Sequence, residues 1–211
     1  MKLLIPSLLG LALSVAATTS FAATNYATKN AVWNASIEKS APLFLKCSNA
    51  NAPKQVTCLA EGMKKAGAST AAIDVMKSLK GDGYLMQFTE KGSIDLGTMA
   101  YPLRANTNEA AVLLMPNKLI STELNSVPPF NKDPKYATLK KKYPNLDIWP
   151  NSAQFNNMKK LSSGDTRFVF NYPVVDGCHA CGISWHAEVA LDVTQAGNLK
   201  TPQFLRLVAD K

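Results

Sequence analysis

The chain has 211 residues, 46% of them hydrophobic and 18% charged, and its 23 Lys and Arg against 15 Asp and Glu leave a formal net charge of +8. That balance suits a folded core and excludes a disordered or low-complexity chain. Arginine, the residue favoured for bidentate recognition of bases and phosphates, occurs only as Arg104, Arg167 and Arg206, so the basic charge is read as solubility or attraction to anionic surfaces, with no nucleic-acid partner.

Lys2, an apolar run over 3–15 broken only by Ser7, Gly10 and Ser14, and the small residues Ser20 and Ala22 predict a secretory signal cut after Ala22. The apolar run is short of the roughly 20 residues a bilayer span needs, and no later stretch supplies one, so no transmembrane span is expected once the signal is removed. The organisation expected is a signal peptide over 1–22 and a single α+β domain over 23–211. Lys2 is the only charged residue of the signal, so its removal lowers the net charge to +7.

Trp33, Ile37, Ala41 and Phe44 recur at helical spacing, with Pro42 at a kink or in a new first turn. Asn51 caps a clearer helix, with Pro53 in its first turn, an apolar stripe of Val56, Leu59, Ala60 and Met63, and Gly67 as the stop. Ser69 caps a third helix, with Ile73, Met76 and Leu79 inward and Gly81 at its end. Strands follow over 84–89, 94–101 and 110–115. The turn-rich segments at 90–93 and 104–108 between them favour an antiparallel meander. Residues 116–132 read as loop, 133–143 as a short helix and 144–165 as polar loop. Strands over 167–172, 183–193 and 202–208 close the chain. In the second of these, Trp185 falls on the apolar face with Ile183, Ala187, Val189, Leu191 and Val193, and His186 falls on the polar face with Ser184, Glu188 and Asp192. The fold expected is α+β, an N-terminal helical cluster packed on a largely antiparallel sheet of about six strands.

Chemistry concentrates in Asp176-Gly177-Cys178-His179-Ala180-Cys181-Gly182-Ile183-Ser184-Trp185-His186, which holds two of the four cysteines and both histidines. A redox C-x-x-C of the thioredoxin type needs a following helix to depress the thiolate pKa, and here a strand pattern follows. Three readings stay open: a static disulfide closing the turn, a redox-active pair, or a metal site built from Cys178, His179, Cys181 and His186. Attachment of c-type haem is excluded, since Gly182 follows Cys181. An even number of cysteines in an exported chain points to disulfides. Proximity favours Cys47 with Cys58 and Cys178 with Cys181, although Cys58 lies off the apolar stripe of its helix. Asp176 and His179 on the turn, and Arg104 and Asn106 at a hairpin end, are the candidate binding residues. The blander readings are a capped turn for Arg104-Ala105-Asn106, an exposed strand pair for His186 and Glu188, and a solvated helix rather than a lipid-binding one for 135–142. No G-x-S-x-G, P-loop, dinucleotide fingerprint or H-E-x-x-H occurs.

Asp82-Gly83-Tyr84-Leu85, Ile94-Asp95-Leu96, Tyr101-Pro102-Leu103-Arg104-Ala105-Asn106 and Asp176-Gly177-Cys178-His179-Ala180-Cys181, followed by a long strand, resemble a group of exported bacterial proteins of uncharacterised function. The resemblance covers roughly residues 80–208 and leaves Cys47 and Cys58 outside it. It implies export and a strand after the turn, and it carries no chemistry. The residues themselves favour an exported, soluble, non-enzymatic protein without a cofactor, binding a small ligand or an envelope or extracellular protein through a disulfide-shaped loop that presents His179. The alternative is a thiol–disulfide or metal-handling protein using Cys178, His179 and Cys181.

Overall fold

The computed structural model describes residues 24–210, so the expected signal segment lies outside the described residues. Helix α1 (Ile37–Ser48) starts at Ser36, whose hydroxyl accepts the Lys39 N–H, and it continues through Pro42 to Ser48. A proline in the second turn removes one backbone bond without ending the helix. Trp33 precedes α1 instead of belonging to it, and its N–H donates to the Leu85 carbonyl at 2.9 Å. Asn51 caps α2 (Ala52–Lys65), and Ser69 caps α3 (Thr70–Ser78).

Cys47 and Cys58 are joined, with Cα atoms 5.7 Å apart, and tie α1 to α2. Cys47 is buried and Cys58 half-buried, so α1 covers a cysteine that lies off its own helix's stripe. The second disulfide, Cys178–Cys181, closes a far smaller loop, a sequence separation of 3 against 11. Chain-entropy arguments then give Cys47–Cys58 the larger stabilisation, by about 1 kcal/mol. Urea melts of the two Cys→Ser double variants test this, and equal losses would refute it. Among the described residues no helix is long and apolar enough to cross a membrane.

The nine strands form two antiparallel sheets, a correction to the single sheet of about six strands expected. The first is a meander of β1 (Tyr84–Thr89), β2 (Asp95–Ala100), β3 (Glu109–Met115) and β4 (Lys118–Ser121). Strand β4 falls where a loop was expected, because the chain reverses at Pro116-Asn117 and pairs Lys118 with Met115. After α4 (Tyr136–Lys142), the second sheet is centred on β7 (Thr166–Asp176) and β8 (Gly182–Val193), with β9 (Gln203–Ala209) beyond β8. Strands β5 (Leu146–Ile148) and β6 (Gln154–Lys160) share the outer edge of β7, one after the other. Both fall within the segment expected to be loop.

Three layers result. Val75 of α3 packs on one face of the first sheet, against Leu85 and Met99, while Phe44, Leu59 and Met76 gather with Tyr84 and Ala100 at the end where β1 begins and β2 finishes. The other face, through Leu96, Leu113 and Ile120, packs on Phe168, Phe170 and Leu191 of the second sheet. Buried Tyr172 in this layer donates its hydroxyl to the Thr122 carbonyl, and burial pushes its pKa well above the tyrosine range.

The alternation expected along β8 holds only in part. Glu188 and Asp192, expected on a solvent face, are buried at 7% and 4% exposure because each accepts two bonds from a cross-strand arginine, Arg206 and Arg167 respectively. Trp185 and His186, expected on opposite sides of the core boundary, are both half-buried, since the first five residues of β8 run past the fully covered part of the sheet. Lys135 Nζ lies 5.5 Å from the centroid of the Trp185 ring, and His186 Nδ1 lies 2.7 Å from Asp210 Oδ1. The outer edge of β9 is capped at Leu207, whose N–H donates to Asp133 and whose carbonyl accepts from Lys135.

Candidate functional site

The inward face of the first sheet changes character along its length. Where it meets the second sheet it presents Leu96, Leu113 and Ile120; beyond that contact it presents Gln87, Thr89, Thr98 and Glu109. Over this polar part opens a cavity of about 670 Å³. Its far wall is the segment from Ser152 to Phe155, at the start of β6, and His179 closes one side. The Phe155 ring is held edge-on to Phe170 at 5.9 Å, and Lys91 Nζ lies 5.3 Å from its centroid.

Irregularities of the backbone and of hydrogen bonding gather at this cavity. Among the described residues, three non-glycine positions have positive φ: Lys80, Thr107 and Ser152. Two of these, Thr107 (φ 59°) and Ser152 (φ 60°), line the cavity. A left-handed conformation is unfavourable for a β-branched residue by about 1–2 kcal/mol. Thr107 Oγ1 is also buried with no hydrogen-bond partner, and the only other such side-chain atom among the described residues is Trp149 Nε1. The Trp149 ring lies 4.6 Å, centroid to centroid, from His179. An unpaired buried polar group costs about 1–3 kcal/mol, and the Thr107 hydroxyl lies on the cavity wall, where a ligand would relieve it.

The Cys178–Cys181 turn positions His179. Its Cα atoms are 5.0 Å apart, the Asp176 N–H donates to the Cys181 carbonyl at 2.9 Å, and the Cys181 N–H donates to the Cys178 carbonyl at 3.0 Å. Gly177 sits at φ +82°, where a side chain would be strained and would meet Asn145 at 3.0 Å. Asp176 Oδ1 accepts the Asn145 N–H at 2.7 Å, so this carboxylate fixes the turn to the neighbouring loop and does not line the cavity. Both cysteines are exposed.

The four candidate binding residues therefore do not converge. His179 reaches the cavity. Arg104 is taken up by Glu123 at 2.7 Å, Asp82 at 3.3 Å and the face of Tyr101 at 3.3 Å, and it braces the loop after β2. Asn106 is exposed beside Thr107, one residue away from the cavity lining. The candidate metal set is likewise dispersed: the two sulfurs are bonded to each other and His186 faces Asp210. Among the described residues no group of three or more His, Cys, Asp or Glu is gathered at metal-binding distance.

Gln87, Thr98, Thr107, Glu109, Ser152 and Phe155 are cavity residues that sequence reasoning missed. Polar residues alternating along a strand read as solvent-facing, and nothing in Asn106-Thr107-Asn108 announces the conformation of Thr107. Comparison of the chain with protein-family models, with curated proteins and with solved structures gives no match. What the cavity offers is recognition chemistry: hydroxyls, amides, one carboxylate, one ammonium, an imidazole and a phenyl face.

Proposed function

We propose that this is an exported, non-enzymatic protein that binds a small polar ligand between its two sheets, with the disulfide-closed turn holding His179 at the rim. The observation that carries this reading is the concentration of the two left-handed residues and the orphaned Thr107 hydroxyl on the cavity wall. Export is supported by the N-terminal pattern, by two disulfides, and by the resemblance to exported bacterial proteins. Amide chemical shifts, followed while a library of polar small molecules is titrated in, provide the test. Hits should move Thr98, Thr107 and Phe155 first. Ala111→Trp, on the cavity floor, should abolish those shifts with less than about 1 kcal/mol change in stability, because the added ring occupies open space. The Cys178→Ser/Cys181→Ser variant should stay folded and weaken binding by about 10-fold or more through loss of the fixed His179 position. Hits that avoid the cavity, or that survive Ala111→Trp, would refute the assignment.

A second reading, thiol–disulfide exchange at Cys178–Cys181, is favoured by the exposure of both cysteines beside His179. It requires that Cys181→Ser trap a specific mixed disulfide through Cys178, or the reverse.

A further inference from the structure

We infer that the cavity takes a short peptide in extended conformation with both termini free, three or four residues long, its ammonium at Glu109 and its carboxylate at Lys91. The inference rests on reading the cavity as a ligand site and goes beyond it to the class of ligand. Strand β2 sets the geometry. Lys91 lies in the turn just before β2, where its N–H donates to Asp95 Oδ1 at 2.7 Å, and Glu109 is the register partner of Ala100 at the other end of the strand. From Leu96 to Ala100 the strand advances by about 13 Å at roughly 3.3 Å per residue. The cavity therefore carries a cation near one end and an anion near the other.

Neither charge is ion-paired, and the Lys91 ammonium has beside it the Phe155 ring, 5.3 Å away. The seven ion pairs among the described residues involve Lys77, Arg104, Arg167, His186, Lys200 and Arg206 with their acids, and neither Lys91 nor Glu109 is among them. A free amino acid holds its two charges too close together to meet both. An extended peptide advances about 3.3–3.6 Å per residue, so three or four residues reach between them. The groups between the two charges suit that backbone. Gln87, Thr98 and Gln154 can each donate and accept, as a peptide group requires, and the Thr107 hydroxyl lacks a partner. Leu96, Ala111 and Phe155 offer apolar surface for small side chains. Terminal charges set the register along the cleft, and backbone-directed bonds leave the peptide's sequence loosely specified. A glycan could use the same hydroxyls and amides, but it has no need of two opposed charges.

The test uses the disulfide-intact protein and four degenerate tripeptide pools, with free ends, N-acetylated, C-amidated and doubly capped, beside chitobiose as a neutral glycan. The free pool should shift the amides of Thr98, Thr107 and Phe155, and each cap should weaken binding about 10-fold at low salt. Glu109→Gln should erase the effect of acetylation and leave that of amidation. Lys91→Met should do the reverse. Both are exposed positions, so the variants should fold. Equal binding of free and doubly capped pools would overturn the inference, as would penalties unchanged by the two substitutions. Binding of chitobiose alone would overturn the peptide and leave the cavity as a ligand site. Silence of these amides toward every pool and toward the polar library would overturn both readings.

Discussion

Arg167→Ala lowers stability by about 3–5 kcal/mol, because it leaves the buried Asp192 carboxylate without its cation. Arg167 Nε and Nη2 each donate to Asp192 at 2.7 Å, and Nη2 also reaches Gln203 at 3.0 Å, so one guanidinium joins β7, β8 and β9. The donated bonds from Arg167 to Asp192 hold its pKa above the ordinary arginine value. Arg167→Lys should recover only part of the loss, since a point charge cannot reproduce the planar fork. Urea midpoints of the two variants, with unchanged slopes, are the measurement. A loss below about 1 kcal/mol for Arg167→Ala would mean that water reaches the Asp192 carboxylate.

Phe170→Ala is expected to be as severe, about 3–5 kcal/mol, since its ring is fully buried in the layer between the sheets. Its position adds a second consequence. Phe170 supports Phe155, which walls the ligand cavity and lies beside Lys91. At a temperature where the variant is still folded, ligand-induced shifts at Phe155 should be reduced or lost. Phe168→Ala, in the same core, gives a like loss of stability without removing that support. If the two variants bind equally well, Phe155 does not depend on Phe170 for its position.

The helical third of the chain was legible because caps and stripes coincide: Asn51 and Ser69 accept the bonds expected of N-caps, and Gly67 and Gly81 adopt positive φ at the stops. Strands β1 to β3 were legible for a similar reason, since short apolar segments end in turn residues. Strand β6 was not. Its apolar residues Phe155 and Met158 stand three apart because a bulge between Phe155 and Asn157 inserts an extra residue, and period two is lost. Strands β4 and β5, of four and three residues, are too short to show a period at all. The burial of Glu188 depends on β9 placing Arg206 opposite it, a register that no local pattern encodes. His179 stood out by its chemistry. The cavity it closes is assembled from four strands and the connections at Lys91, Thr107, Ser152 and His179, distant in sequence, and such convergence exists only in the fold.

The order in which the cysteines pair has a consequence for how the chain matures. Each half-cystine is bonded to the next one along the sequence, the first with the second and the third with the fourth. A chain oxidised progressively from its N-terminus meets the correct partner first each time, because Cys58 emerges before Cys178 is available to compete. Correct connectivity then needs an oxidant and no step of disulfide shuffling. Loop closure also favours these two short loops over any crossed pairing, so reduced, denatured protein given only an oxidant should regain its native connectivity without an isomerase.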